Sequence, residues 1–166
     1  MKTKHLLIAF LLLLPILTWA QTGLDTLKES KQLPAFKFYA LKDSSVFTPD
    51  SIPNKQQILF IYFNTTCDHC QHETEELIKY IEYFKGISIV MVSREDRASI
   101  QAFATKYELM KNHITVLMDS EGKIHDYFDF AYIPMIRLYD KKRRLIAAFS
   151  EQAHVLELLT KFDENR

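Results

Sequence analysis

Cysteine is scarce in this chain of 166 residues, with two in all, Cys67 and Cys70. Neither stands directly after the apolar stretch near the N-terminus, so a lipoprotein anchor is unsupported. No second apolar run is long enough to cross a bilayer, and the mature chain is expected to be soluble or peripherally held. Net charge is also lacking, with 21 basic against 21 acidic side chains. That balance argues against nucleic acid or an anionic membrane as the partner. Internal repeats and low-complexity linkers are absent too, which points to one domain.

What the chain does have begins with a leader. Lys2 and Lys4 precede the apolar run Leu6 to Leu14, and Thr18-Trp19-Ala20 offers small residues at the positions a signal peptidase reads. Residues 1–20 are therefore read as a signal peptide cleaved near Ala20, with an uncleaved anchor as the rival. The mature 146 residues then carry 19 basic and 21 acidic side chains. A composition 48% hydrophobic and 13% aromatic suits a well-filled core. Export places the protein in the periplasm or cell envelope, where a disulfide can persist.

Residues 21–34 are polar and aperiodic and read as an N-terminal extension; residues 35–166 form the domain. Ala35 to Leu41 and Val46-Phe47 read as strands joined by the turn Lys42 to Ser45. Ile58 to Phe63 is a short buried strand, and the spacing of Leu77, Ile78, Tyr80, Ile81 and Phe84 predicts a helix over 73–84. Further strands are expected at Ile87 to Val92, Thr115 to Met118, Met135 to Tyr139 and Leu145 to Phe149. Helices are expected after Ser93 to Asp96, over Lys123 to Phe128, and over Gln152 to Phe162 with Val155, Leu156, Leu158 and Leu159 inward. This order predicts a mixed α/β sheet with helices on both faces.

Cys67-Asp68-His69-Cys70 falls where a strand hands over to a helix. Near a helix N-terminus, unpaired N–H groups and the positive dipole end favour a thiolate over a thiol, and the thiolate attacks disulfides. A structural staple is the alternative, but a bridge across two residues closes too small a loop to stabilise much.

With strand, Cys-x-x-Cys and helix at Ile58 to Phe84, a further β-α element from Ile87 to Tyr107, and Ile133-Pro134 just before a strand and its hairpin, the chain resembles the thioredoxin superfamily. More narrowly it resembles exported TlpA/ResA-like thiol–disulfide oxidoreductases. The resemblance implies a thioredoxin-like fold with an N-terminal β-hairpin and an inserted β-α element. It implies a cis bond before Pro134, which would sit against the Cys67–Cys70 redox-active disulfide, with no other cofactor. Tyr132, Ile133 and Pro134 would then meet the partner's chain. Implied partners are protein thiols and disulfides of the envelope, among them a membrane thiol reductant or apocytochrome c, with the protein itself a monomer.

The chain departs from the family at two positions. Thr66 stands where relatives commonly carry Trp, and Ile61 stands where thioredoxins carry a buried acid. Glu73 matches the functional acid of ResA-like proteins and shares a helix face with Cys70, as i and i+3, so it could move protons; a solvated surface role competes. His69 should favour the reduced form and Asp68 oppose it. The expected potential lies between about −270 mV, as in thioredoxin, and about −120 mV, as in DsbA.

Two other classes compete. Cys67, His69, Cys70 and His72 are ligands that suit copper or zinc, though four ligands from one turn wrap a metal poorly. A peroxiredoxin-like peroxidase would need a proline just upstream of its cysteine, and none lies between Ile58 and Cys67.

Overall fold

A computed structural model describes residues 31–166. The signal peptide expected over 1–20, and the extension up to residue 30, lie outside the described residues.

The elements follow the expected order. The strands are β1 (Phe38–Ala40), β2 (Val46–Phe47), β3 (Gln57–Tyr62), β4 (Ile87–Ser93), β5 (Thr115–Met118), β6 (Met135–Tyr139) and β7 (Leu145–Phe149). The helices are α1 (Asp68–Lys79), α2 (Arg97–Lys106), α3 (Ile124–Tyr127) and α4 (Val155–Glu164). They build one seven-stranded sheet in the order β2-β1-β5-β4-β3-β6-β7. β4 runs parallel to β3 and β5, while β6 is antiparallel to β3 and forms a hairpin with β7. The mixed thioredoxin-like sheet is thus as expected, with the β1–β2 hairpin at one edge. The Ile87–Tyr107 element begins with β4, an interior strand, and reaches the hairpin through α2 and β5.

The unbroken apolar run of β3 has a simple cause. Its residues alternate between two cores, Ile58, Phe60 and Tyr62 to one face and Leu59 and Ile61 to the other, so both faces must be apolar. The first core is rich in rings: Phe36 stacks on Phe38 at 4.5 Å, and Phe60 lies 5.9 Å from Phe128. The second is closed by α1, α2 and α4 through Leu77, Phe103 and Leu158.

Three local readings change, and one buried side chain goes beyond them. The first long helix starts at Asp68 and stops at Lys79, and Ile81–Phe84 is a separate 3-10 turn. Leu156 is 75% exposed, and Phe162 completes the buried face of α4, because a step of 100° carries residue 156 off the Val155–Leu158 face. Residues 31–33 already bond to the β6–β7 hairpin, Leu145 N–H donating to Lys31 O at 2.9 Å and Leu33 N–H to Arg143 O at 2.9 Å. Arg137, in an otherwise apolar strand, is buried, donating to Phe149 O at 2.8 Å with its guanidinium 5.7 Å from the Phe128 ring.

Leu77 fastens α1 to the sheet and is fully buried. Leu77→Ala should lower the unfolding free energy by ~2–5 kcal/mol in urea titrations. A loss under ~1 kcal/mol would mean that α1 is held by other contacts.

Candidate active site

α1 begins at a sulfur. Cys67 is its N-cap, in extended conformation, and its Sγ accepts a hydrogen bond from the Cys70 N–H at 3.3 Å. A serine or aspartate oxygen ordinarily fills this position; here a half-buried sulfur does. Cys70, one turn inward, is buried at 1% exposure, and both cysteines are free thiols in this structure. Burial first, and then the contact with Cys67, pushes the Cys70 thiol well above its usual range. The pair is therefore unequal, one sulfur accessible and one shielded.

The loop that presents Cys67 is braced from both sides. Asn64 Oδ1 accepts from the Thr66 N–H at 2.9 Å and from the Thr66 hydroxyl at 2.7 Å, and Asn64 O accepts from the Cys67 N–H at 3.3 Å. The Glu95 carboxylate accepts from the Thr65 N–H at 2.6 Å and from its hydroxyl at 3.0 Å. Gln71 Nε2 donates to Thr65 O at 3.0 Å. Thr66, in the place of the usual Trp, is exposed and serves this turn. The Asn64 turn was open to sequence reading, since asparagine caps its own backbone two residues on. Glu95 was not, because it arrives from the end of β4, thirty residues away.

Ile133 and Pro134 close the other side. The bond between them is cis, Pro134 is buried, and Cys67 Sγ lies 3.8 Å from Ile133 O. Tyr132 is 63% exposed at the mouth of a cleft of about 310 Å³ that it shares with His69, Ile133, Glu151 and Gln152. His69 and Asp68 are both exposed; His69 Nδ1 is 3.1 Å from Gln152 Oε1, and no hydrogen bond joins it to Cys67. Among the described residues no group of three or more His, Cys, Asp and Glu side chains is placed to hold a metal ion. His72 faces a different cleft from the one that His69 lines.

Glu73 is where geometry departs most from a surface role. It is 3% exposed, its Oε2 accepts from the Ala153 N–H at 3.0 Å, and its buried Oε1 has no hydrogen-bond partner. Burial pushes its carboxyl up to about 7, against the opposing pull of the Ala153 N–H and with a smaller push from Glu76. A cleft of about 320 Å³, lined by His72, Glu73, Glu76 and His154 among others, opens over it.

The AhpC/TSA family model matches residues 30–149. The chain belongs to this family, within the thioredoxin superfamily. No curated protein sequence matches it. Among solved structures it is similar to the thioredoxin domain of a thiol-disulfide oxidoreductase from Bacteroides vulgatus, with TM-score 0.64, 17% identity, and 80% of this chain and 94% of that one covered. It is also similar to StoA from Bacillus subtilis, with TM-score 0.60, 13% identity and coverages of 77% and 96%. A third is a secreted Mycobacterium tuberculosis disulfide oxidoreductase homologous to E. coli DsbE, with TM-score 0.63, 18% identity and coverages of 76% and 93%. At these identities the likeness is one of fold.

The raised Glu73 carboxyl has a consequence for stability. Unfolded, the group ionises near 4.5; folded, it ionises near 7. Its favourable contribution is complete below pH 4.5 and is lost as pH rises to about 7. Glu73→Gln, which cannot ionise, should therefore gain on the native protein between pH 5 and pH 8, by on the order of 2 kcal/mol. Denaturant titrations of both proteins at the two pH values measure this, and an equal gap at both would mean that Glu73 ionises freely.

Proposed function

We propose that this protein is a thiol–disulfide oxidoreductase of the cell envelope that exchanges disulfides with protein partners through Cys67 and Cys70. The observation that carries the reading is the asymmetry of the pair: an accessible sulfur at a helix N-cap, and a shielded one a turn deeper. Family membership and the fold of the similar oxidoreductases support it.

In the reducing direction, Cys67 as thiolate attacks one sulfur of a partner disulfide. A Cys67–partner disulfide forms and the partner's other sulfur leaves as a thiolate. Cys70 then gives up its proton and attacks Cys67 Sγ. The second partner sulfur is released, and the Cys67–Cys70 disulfide holds the oxidation that the partner has lost. The opposite direction is the same chemistry run backwards with a partner dithiol.

Glu73 is the group proposed to take the Cys70 proton. Its carboxyl ionises near 7, close to a working pH, and adds to the negative surroundings that raise the Cys70 thiol. The cleft above it offers the proton an outlet to water. Tyr132 and Ile133 would meet the partner backbone beside Cys67. A dithiol-bearing membrane reductant or apocytochrome c fits such a site. Export after cleavage near Ala20 is the location that the leader supports.

Cys70→Ser should accumulate a partner-linked species on non-reducing gels that reductant removes, while Cys67→Ser should accumulate none and lose disulfide-reducing activity. Activity retained in Cys67→Ser would overturn the assignment of the attacking sulfur.

A further inference from the structure

The segment before Pro134 borders a second cleft, distinct from the one that His69 lines. Tyr62 at the end of β3, His125 in α3 and Phe130 form a cluster of rings there. His125 stacks on Phe130 with centroids 4.5 Å apart and planes 16° from parallel. Tyr62 meets these two edge-on, at 6.0 Å and 5.4 Å. With Asn64, Arg94 and Ile133 the rings line a space of about 290 Å³ at the carboxyl ends of β3 and β4. In open α/β sheets that is the edge where ligands bind.

Ile133 lines this cleft and also the one beside His69, and its carbonyl lies 3.8 Å from Cys67 Sγ. A peptide joined to Cys67 through sulfur therefore passes the mouths of both. The two sides differ in charge. The His69 side carries Glu151, with Asp68 exposed nearby at the start of α1. The ring-lined side carries Arg94, which is exposed and makes no ion pair among the described residues. The carboxylates whose charge reaches Tyr62 are Glu95 and Asp119, and both are engaged. Glu95 holds Thr65, and Asp119 accepts from the Lys123 and Ile124 N–H groups at 2.8 and 2.9 Å. Arg94 is thus the cation left over beside an apolar, ring-walled space.

We propose that this cleft selects partners by taking an acidic side chain next to the partner's cysteine, its methylenes against His125 and Phe130 and its carboxylate on Arg94. The proposal rests on the disulfide-exchange reading of Cys67. A lysine in the same place would meet Arg94 with like charge, so the cleft rejects as well as accepts.

The test uses the reduced full chain and disulfide-linked peptide dimers whose single cysteine is flanked by Glu, Gln, Phe or Lys. Each dimer is reduced to two thiols as Cys67 and Cys70 become a disulfide, and the rate is followed by stopped flow. The Glu peptide should react about fivefold faster than the Gln peptide, the Lys peptide should be slowest, and Arg94→Glu should invert the order of Glu and Lys. Lys141→Glu, the same charge change in the β6–β7 turn at the opposite end of the sheet, should leave the order intact. Rates independent of charge, a Phe peptide faster than the Glu peptide, or an order unmoved by Arg94→Glu would overturn the charge selection alone. No reaction with any peptide would overturn both this proposal and the exchange reading.

Discussion

The first two turns of α1 hold the molecule's chemistry to its core. Cys67 must stay accessible, yet Cys70, Glu73, Thr74 and Leu77, on the inner face of the same helix, are buried against the sheet. Both conditions are met because the N-cap position lies outside the helical cylinder while i, i+3 and i+7 point down one face. The sheet must then supply an apolar surface under that face, which β3 does with Leu59 and Ile61. Thr74 also donates its hydroxyl to Cys70 O at 2.7 Å, which satisfies that buried hydroxyl within the helix.

Two carboxylates frame this helix and behave oppositely because their partners differ. Glu95 accepts from Thr65 and Ser93 and works as a fixed brace for the loop before Cys67. Glu73 has one backbone N–H, a bare second oxygen and a buried setting, and its charged form is disfavoured. Glu95 thus has its hydrogen-bonding capacity filled, whereas Glu73 keeps one buried oxygen bare.

Much of this was legible in the order of residues. All the strands from Ile58 onward were marked by short β-branched or aromatic runs between turn residues, and both cysteines were placed at the strand-to-helix junction. The helix boundary at Asp68 was harder to read, because the first turn of α1 is polar and its inner face there is formed by Cys70, Glu73 and Thr74 instead of large apolar side chains. Leu156 misled because hydrophobicity alone does not tell which of two neighbouring apolar residues a helix turns inward. Arg137 gave no signal, since its burial depends on carbonyls and a ring from other segments.

By itself, the sequence determined the strand–helix alternation, the two cysteines at a helix start and the proline that follows them at a distance, because each rests on local spacing or residue chemistry. Only the tertiary structure decided that Cys70 is shielded, that Glu73 is buried beside Ala153, that Glu95 braces Thr65, and that Arg94 faces a ring-lined cleft beside Ile133. Those facts join residues thirty to eighty positions apart. Burial and charge at such sites are set by which distant segments the sheet brings together, and no local pattern along the chain records that.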